Sequence, residues 1–423
     1  VALSAKVVSF LLSDAVVGTT QAITGVGFQP KALIFFSSGS VSATDLTVDT
    51  LNTRIGAGFA SGATKRGCIT YFINDAEATM DTSCGIRSDA AFAVTDGTDV
   101  FTGAWDLVSL DADGFTVIVD IDAPTASSPR VHVLCLGGDD ITNVEVNSFS
   151  KAGATGNQAV TGVGFQPDML FFLTTGEAGP LPSDSDGAAR YSFGAARSST
   201  EQVVLHAFSE DAIAASNVEN YSRFDECVLG RINGTFAQQR GSLVSLDADG
   251  FTINWLAGTA TPPVLYLAIK GGSWKVGNSA TAASLTTVVT SGYGFTPKGV
   301  MVLSNCATAV NAAGVLNVDM ALSVGAADSP TSRGAHANFE FDASGTSNVW
   351  QGIEYDEIYS NLTGGGGIVG LMDVQSLDAD GVTFVMDDAD PTTRVFGYIG
   401  FGDTAVAGGP PGPNALMMMG IGL

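Results

Sequence analysis

Hydrophobic positions along the chain come in short runs rich in branched and aromatic residues, such as Ala32-Leu-Ile-Phe-Phe36, Phe115-Thr-Val-Ile-Val119 and Val131-His-Val-Leu-Cys-Leu136. Gly, Asp, Ser or Pro bounds each run, and no stretch sustains a helical period, so the pattern predicts β-strands throughout. Between the runs lie connectors rich in Gly, Ser, Thr and Ala, among them Ser37 to Thr44 and Thr363 to Gly367. Short strands separated by turn-forming connectors predict an all-β chain of antiparallel β-sandwich or jelly-roll-like units. Propensity alone does not choose between those topologies.

The pattern also repeats. Thr24-Gly-Val-Gly-Phe-Gln-Pro30 returns as Thr161 to Pro167 and, altered, as Ser291-Gly-Tyr-Gly-Phe-Thr-Pro297. Ser109-Leu-Asp-Ala-Asp-Gly114 returns as Ser245 to Gly250 and Ser376 to Gly381. A closing apolar strand ends at Gly138, Gly272 and Gly402. Three landmarks in one order, at a period of about 130 to 137 residues, imply three tandem homologous domains, because solenoid units are far shorter. The expected copies are 1–138, 139–272 and 273–402, followed by a C-terminal extension, 403–423. Superposing the closing glycines puts His132 with Tyr266 and Phe396, and Cys135 with Ile269 and Ile399. His206 and His336 are expected in matching positions of copies two and three. Cys306 falls with Gly39 and Gly176 at a strand end.

Composition narrows the function classes. The 423 residues carry 43 acids against 18 bases, for a net charge of −25, and the excess is spread nearly evenly over the copies. Binding to a phosphate backbone or to an anionic membrane is disfavoured, since both need Lys and Arg clusters. A hydrophobic fraction of 45% argues for packed cores rather than disorder. The apolar start of the chain reads as a first strand and not as a secretion signal, because Lys6 to Phe10 recurs internally as Glu145 to Phe149. No run is long enough for a helical membrane span.

Candidate chemistry is sparse. The five cysteines are widely spaced and predict neither a disulfide framework nor a zinc site. The Asp-Ala-Asp-Gly elements do not match a helical calcium loop, since the Gly comes at position 4, so they read as hairpin turns with Gly in a left-handed position. Asp387-Asp-Ala-Asp390 and Asp184-Ser-Asp186 remain as cation candidates. The Gly-Val-Gly-Phe-Gln-Pro segments lack the GK[ST] ending of a phosphate loop and read as turns. With three histidines and no paired motif, no catalytic residue, cofactor or metal site is assigned. After Gly408-Gly-Pro-Pro-Gly-Pro-Asn414, an apolar end provides candidate partner-docking residues: Leu416, Met417, Met418, Met419, Ile421 and Leu423.

The repeated GFQPKALIFF and VSLDADGFTV elements resemble those of uncharacterised repeat-containing virion structural proteins of tailed bacteriophages. That resemblance implies a non-enzymatic protein of the virion, assembled in the host cytoplasm. It would serve in capsid decoration or cementing, or as a tail component, acting through repeated β-domain contacts and a docking tail. Its expected partners are other capsid or tail subunits and further copies of itself, with no nucleic acid and no membrane insertion. The alternative is a glycan-binding adhesin or receptor-binding protein, for which Trp105, Trp255, Trp274 and Trp350 do not share one recurring position.

Overall fold

The computed structural model describes residues 2–49, 52–97, 100–122, 128–177, 179–233, 236–311 and 319–404, and it is all-β. Copy one contributes β1 (Ser4–Leu11), β2 (Thr20–Thr24), β3 (Pro30–Ser37), β4 (Thr47–Asp49), β5 (Thr53–Gly62), β6 (Lys65–Ile73), β7 (Thr82–Arg87), β8 (Phe92–Thr95), β9 (Phe101–Asp111), β10 (Gly114–Ile121) and β11 (Arg130–Gly137). Copy two contributes β12 (Asn143–Ser150), β13 (Gly156–Thr161), β14 (Met169–Thr174), β15 (Ser183–Asp186), β16 (Ala189–Ser198), β17 (Glu201–Ser209), β18 (Val218–Arg223), β19 (Val228–Asn233), β20 (Phe236–Asp247), β21 (Gly250–Ala257) and β22 (Pro263–Lys270). Copy three contributes β23 (Ser273–Ala280), β24 (Thr287–Ser291), β25 (Pro297–Ser304), β26 (Met320–Ser329), β27 (Ser332–Glu340), β28 (Val349–Glu354), β29 (Tyr359–Thr363), β30 (Gly367–Asp378), β31 (Gly381–Asp388) and β32 (Val395–Gly402).

These strands form six antiparallel sheets in three matching pairs. Each copy has a four-stranded sheet: β2-β10-β9-β8, β13-β21-β20-β19 and β24-β31-β30-β29. Each also has a larger sheet: β1-β11-β3-β5-β6-β7 in copy one, β12-β22-β14-β16-β17-β18 in copy two and β23-β32-β25-β26-β27-β28 in copy three. Among the described residues, two strands leave their own copy. β15 adds to the edge of copy one at β7, and β4 adds to the edge of copy three at β28.

The apolar runs are continuous because the large sheets are buried on both faces. In β3, Leu33 and Phe35 point into a core shared with the small sheet of copy one, while Ala32, Ile34 and Phe36 point the other way. That second face meets its counterparts, Met169, Phe171 and Leu173 of β14 and Met301 and Leu303 of β25, in one central core built from all three copies. Phe171 of copy two illustrates the convergence, its ring centroid lying 6.3 Å from Phe59 of copy one and 6.1 Å from Trp274 of copy three.

The copies contact one another head to tail and close a ring, with β1 against β27, β12 against β6 and β23 against β17. One pair of positions recurs at these three contacts with different chemistry. It is Lys6 donating to Ser332 Oγ at 2.9 Å, Glu145 paired with Lys65, and Lys275 paired with Glu201 at 2.9 Å. The second and third are the same ion pair with its signs exchanged. Wrong pairing of copies would therefore bring like charges together.

Hydrogen-bond register corrects three of the expected columns. In β17 and β27, Ser209 and Glu340 hold the same place, so His206 aligns with Ala337 and His336 with Leu205. The histidines are thus one residue out of step, which puts them on opposite faces of their sheets. In the closing strands His132 aligns with Leu265 and Gly397, and Cys135 with Ala268 and Gly400. The closing glycines misled because Gly271, not Gly272, takes the role of Gly138. Both have positive φ, 95° and 87°, and an added Cβ would collide with the carbonyl oxygens of Asp140 and Ala2, respectively. Cys306 does share its place with Gly39 and Gly176, at φ of 53°, 90° and 74°.

Candidate functional site

The two landmark motifs prove to be halves of one device. Asp113 accepts hydrogen bonds from the backbone N–H groups of Gly25 at 3.1 Å and Gly27 at 2.6 Å. Asp249 does the same for Gly162 and Gly164, and Asp380 for Gly292 and Gly294. The N–H groups of Gly294 and Gly292 hold the Asp380 carboxyl below the usual carboxylate range. The first aspartate is also occupied, Asp111 accepting from Ser109 Oγ and Thr116 Oγ1, each at 2.7 Å. These carboxylates are engaged by their own backbone and neighbouring hydroxyls, which accounts for their recurrence without a cation. The hairpin expectation holds, with Asp111 paired directly to Gly114. Gly114 itself has φ of 146°, outside the left-handed helical region expected for it. Glycine is required there because an added Cβ would sit 1.9 Å from Ile23 O, and the same approach recurs at Gly250 and Gly381.

The histidines are fully buried and held neutral. Burial lowers His132 to about 4 and both His206 and His336 to about 3. His132 joins copy one to copy three, Nε2 donating to Ala335 O at 3.1 Å while Ser9 Oγ donates to Nδ1 at 2.5 Å. All five cysteines are buried, and burial raises their thiols well above the usual range, which disfavours the thiolate a nucleophile needs.

Of the cation candidates, Asp390 is taken by Arg394, Asn361 and the Thr392 N–H. The β15 backbone carrying Asp184 and Asp186 is paired to β7. Asp387 belongs to a convergence that sequence reading missed: one carboxylate oxygen each from Glu357, Asp373 and Asp387 lies within 4.8 Å of the others. Glu357 precedes β29, Asp373 lies in β30 and Asp387 in β31, so only the fold assembles them. Burial and the neighbouring Asp373 push the Glu357 carboxyl upward, and Arg333 Nη2 approaches Asp373 Oδ1 at 2.8 Å.

A cavity of about 550 Å³ opens between copies two and three, lined by Asn220, Tyr221, Asn305, Phe339, Phe341 and Arg394 among others. The four tryptophans lie elsewhere in function: Trp105, Trp255, Trp274 and Trp350 are all buried in cores. The docking residues Leu416, Met417, Met418, Met419, Ile421 and Leu423 lie outside the described residues. Among the described residues no helix is long and apolar enough to cross a membrane.

No protein-family model matches the chain, and no curated protein matches it. Among solved structures, matches include Salmonella typhi OmpF in complex with daunomycin, at 9% identity over 90% of this chain and 100% of that one, with a TM-score of 0.11. A Rhodopseudomonas blastica porin triple mutant matches at 8% over 95% and 99%, TM-score 0.11. The Macrobrachium rosenbergii nodavirus structure matches at 10% over 64% and 86%, TM-score 0.11. Likenesses at these scores carry no argument about fold or function.

Proposed function

We propose that this chain is a non-enzymatic structural protein of a bacteriophage virion, decorating or cementing the capsid or forming part of the tail. In this reading each pair of large and small sheets is a sandwich domain of the jelly-roll type, and the three form one pseudo-threefold block. The observation that carries the reading is the reciprocal bracing of the copies. They share a central core and hand edge strands to one another, β15 to copy one and β4 to copy three. Such construction suits a part that must keep its shape under load, and it covers sheet edges that would otherwise invite uncontrolled pairing. Repeated surfaces on one chain also gain avidity against repeated neighbours. Other capsid or tail subunits and further copies of the chain are the proposed partners.

A glycan-binding role is the second reading, favoured by the cavity between copies two and three, where amide and aromatic side chains meet. Burial of all four tryptophans removes the indole platforms on which sugars commonly stack. Purified particles separate the two. The structural reading expects the protein at fixed stoichiometry in a particle map, and reduced incorporation after deletion of 408–423. Particles lacking the protein, together with saturable binding on a glycan array, would replace it with the second reading.

A further inference from the structure

The convergence of Glu357, Asp373 and Asp387 stands out against the same place in copy two. Register aligns Glu357 with Glu226. Glu226 is 1% exposed and gripped by two arginines, with Arg240 Nε at 3.1 Å and Arg223 Nε at 3.2 Å. Copy three keeps the buried glutamate and removes both partners. Glu354 stands in place of Arg223, and Leu371 in place of Arg240. Copy three then adds acids, with Asp373 where copy two has Ser242 and Asp387 where it has Leu256. Copy one has Ala90 in place of the glutamate, and its counterparts of the two aspartates, Asp106 and Asp120, are met by Arg66 and Arg87.

Glu357 is 5% exposed, and its Oε2 is buried without a hydrogen-bond partner. A buried carboxylate facing two others is costly unless it takes up a proton or positive charge joins it. Arg333 supplies one guanidinium on the Asp373 side of the cluster. Asp387 is exposed, so the cluster opens to solvent.

We propose that Glu357, Asp373 and Asp387 bind a calcium ion, which takes the place that Arg223 and Arg240 fill in copy two and Arg87 in copy one, while Arg333 keeps the place of Arg66. The ligands are all carboxylate oxygens, the hard donors that calcium prefers, and they come from three separate segments, a loose arrangement that calcium tolerates better than magnesium. Water completes the coordination on the open side. The site goes beyond the structural role proposed above and does not depend on it. Its exposure places the affinity with open extracellular modules, at a Kd of about 10⁻⁴ to 10⁻³ M.

Isothermal titration of the metal-stripped full chain with calcium chloride, in about 0.15 M salt, tests the site. A single calcium per chain is expected, with a rise in unfolding temperature. Asp387→Asn should weaken binding by about tenfold or more, and Leu371→Arg, which restores the arginine of copy two, should abolish it. Asp120→Asn, the counterpart of Asp387→Asn in copy one, should leave the affinity unchanged. Because Asp387 is exposed, its variant keeps the fold intact and reads the site alone. Absence of both heat and thermal shift at about 10 mM calcium, or affinity that Asp387→Asn and Leu371→Arg both leave untouched, overturns the proposal.

Discussion

Asp249 shows how one residue fixes two distant turns. It lies in the tip between β20 and β21, yet its two oxygens bind the Gly162 and Gly164 N–H groups at 3.0 and 2.6 Å. Asp249→Ala should lower stability by about 1 kcal/mol, the net worth of such bonds at an exposed carboxylate, as read from the urea midpoint. Titratable residues set the pH limits. The three histidines have folded values of about 3 to 4 against an ordinary 6.5, so the stability tied to their neutral form is full above 6.5 and lost as pH falls toward 3 to 4. Glu340 has the opposite sign. Burial raises it from 4.5 to about 8, although Ser209 Oγ donates to it at 2.9 Å, so its contribution is full below 4.5 and lost as pH rises through about 8. Glu340→Gln should lessen the alkaline decline of the urea midpoint, the remainder falling to Glu354, which burial also raises to about 8, while leaving the acid limb in place. At this scale sequence comparison recovered the shared strand end of Cys306, Gly39 and Gly176. It misaligned the histidines because a shift of one residue leaves composition unchanged while reversing the face.

Among the elements, the exchanged strand β4 is anchored through the segment that leads into it. Asp45 Oδ1 accepts from the Tyr355 N–H at 2.6 Å, and Tyr355 OH donates to Ser42 O at 2.6 Å. Tyr355→Phe removes the second anchor. It should speed hydrogen exchange at residues 47–49 by about fivefold to tenfold, as expected for a bond worth about 1 kcal/mol, with little change in the central strands. Unchanged exchange at 47–49 would show that the strand is held without it. The individual strands were legible because their runs are short, branched and bounded by turn residues, with Pro30 and Pro297 opening β3 and β25. Strand exchange was not legible. Thr47–Asp49 and Ser183–Asp186 are short and polar, and their partners lie in other copies, so local pattern gives them no address. The acidic cluster escaped for a related reason, its members standing on separate segments that only the hairpin of β30 and β31 brings beside Glu357.

For the whole molecule, the threefold repeat was plain in the sequence, but the ring was not. A signal for it existed in Ala32-Leu-Ile-Phe-Phe36 and its counterparts, whose uninterrupted apolar character demands burial on both faces. A row of independent domains would leave one of those faces in water. The two arrangements differ in how damage spreads. Phe171 lies in copy two yet packs on Phe59 of copy one and Trp274 of copy three. Phe171→Ala should cost about 3 to 5 kcal/mol, and residue-resolved hydrogen exchange shows where that loss falls. The shared core predicts that protection drops together in β3, β14 and β25. A drop confined to β14 and its neighbours in copy two, with β3 and β25 unchanged, would contradict it.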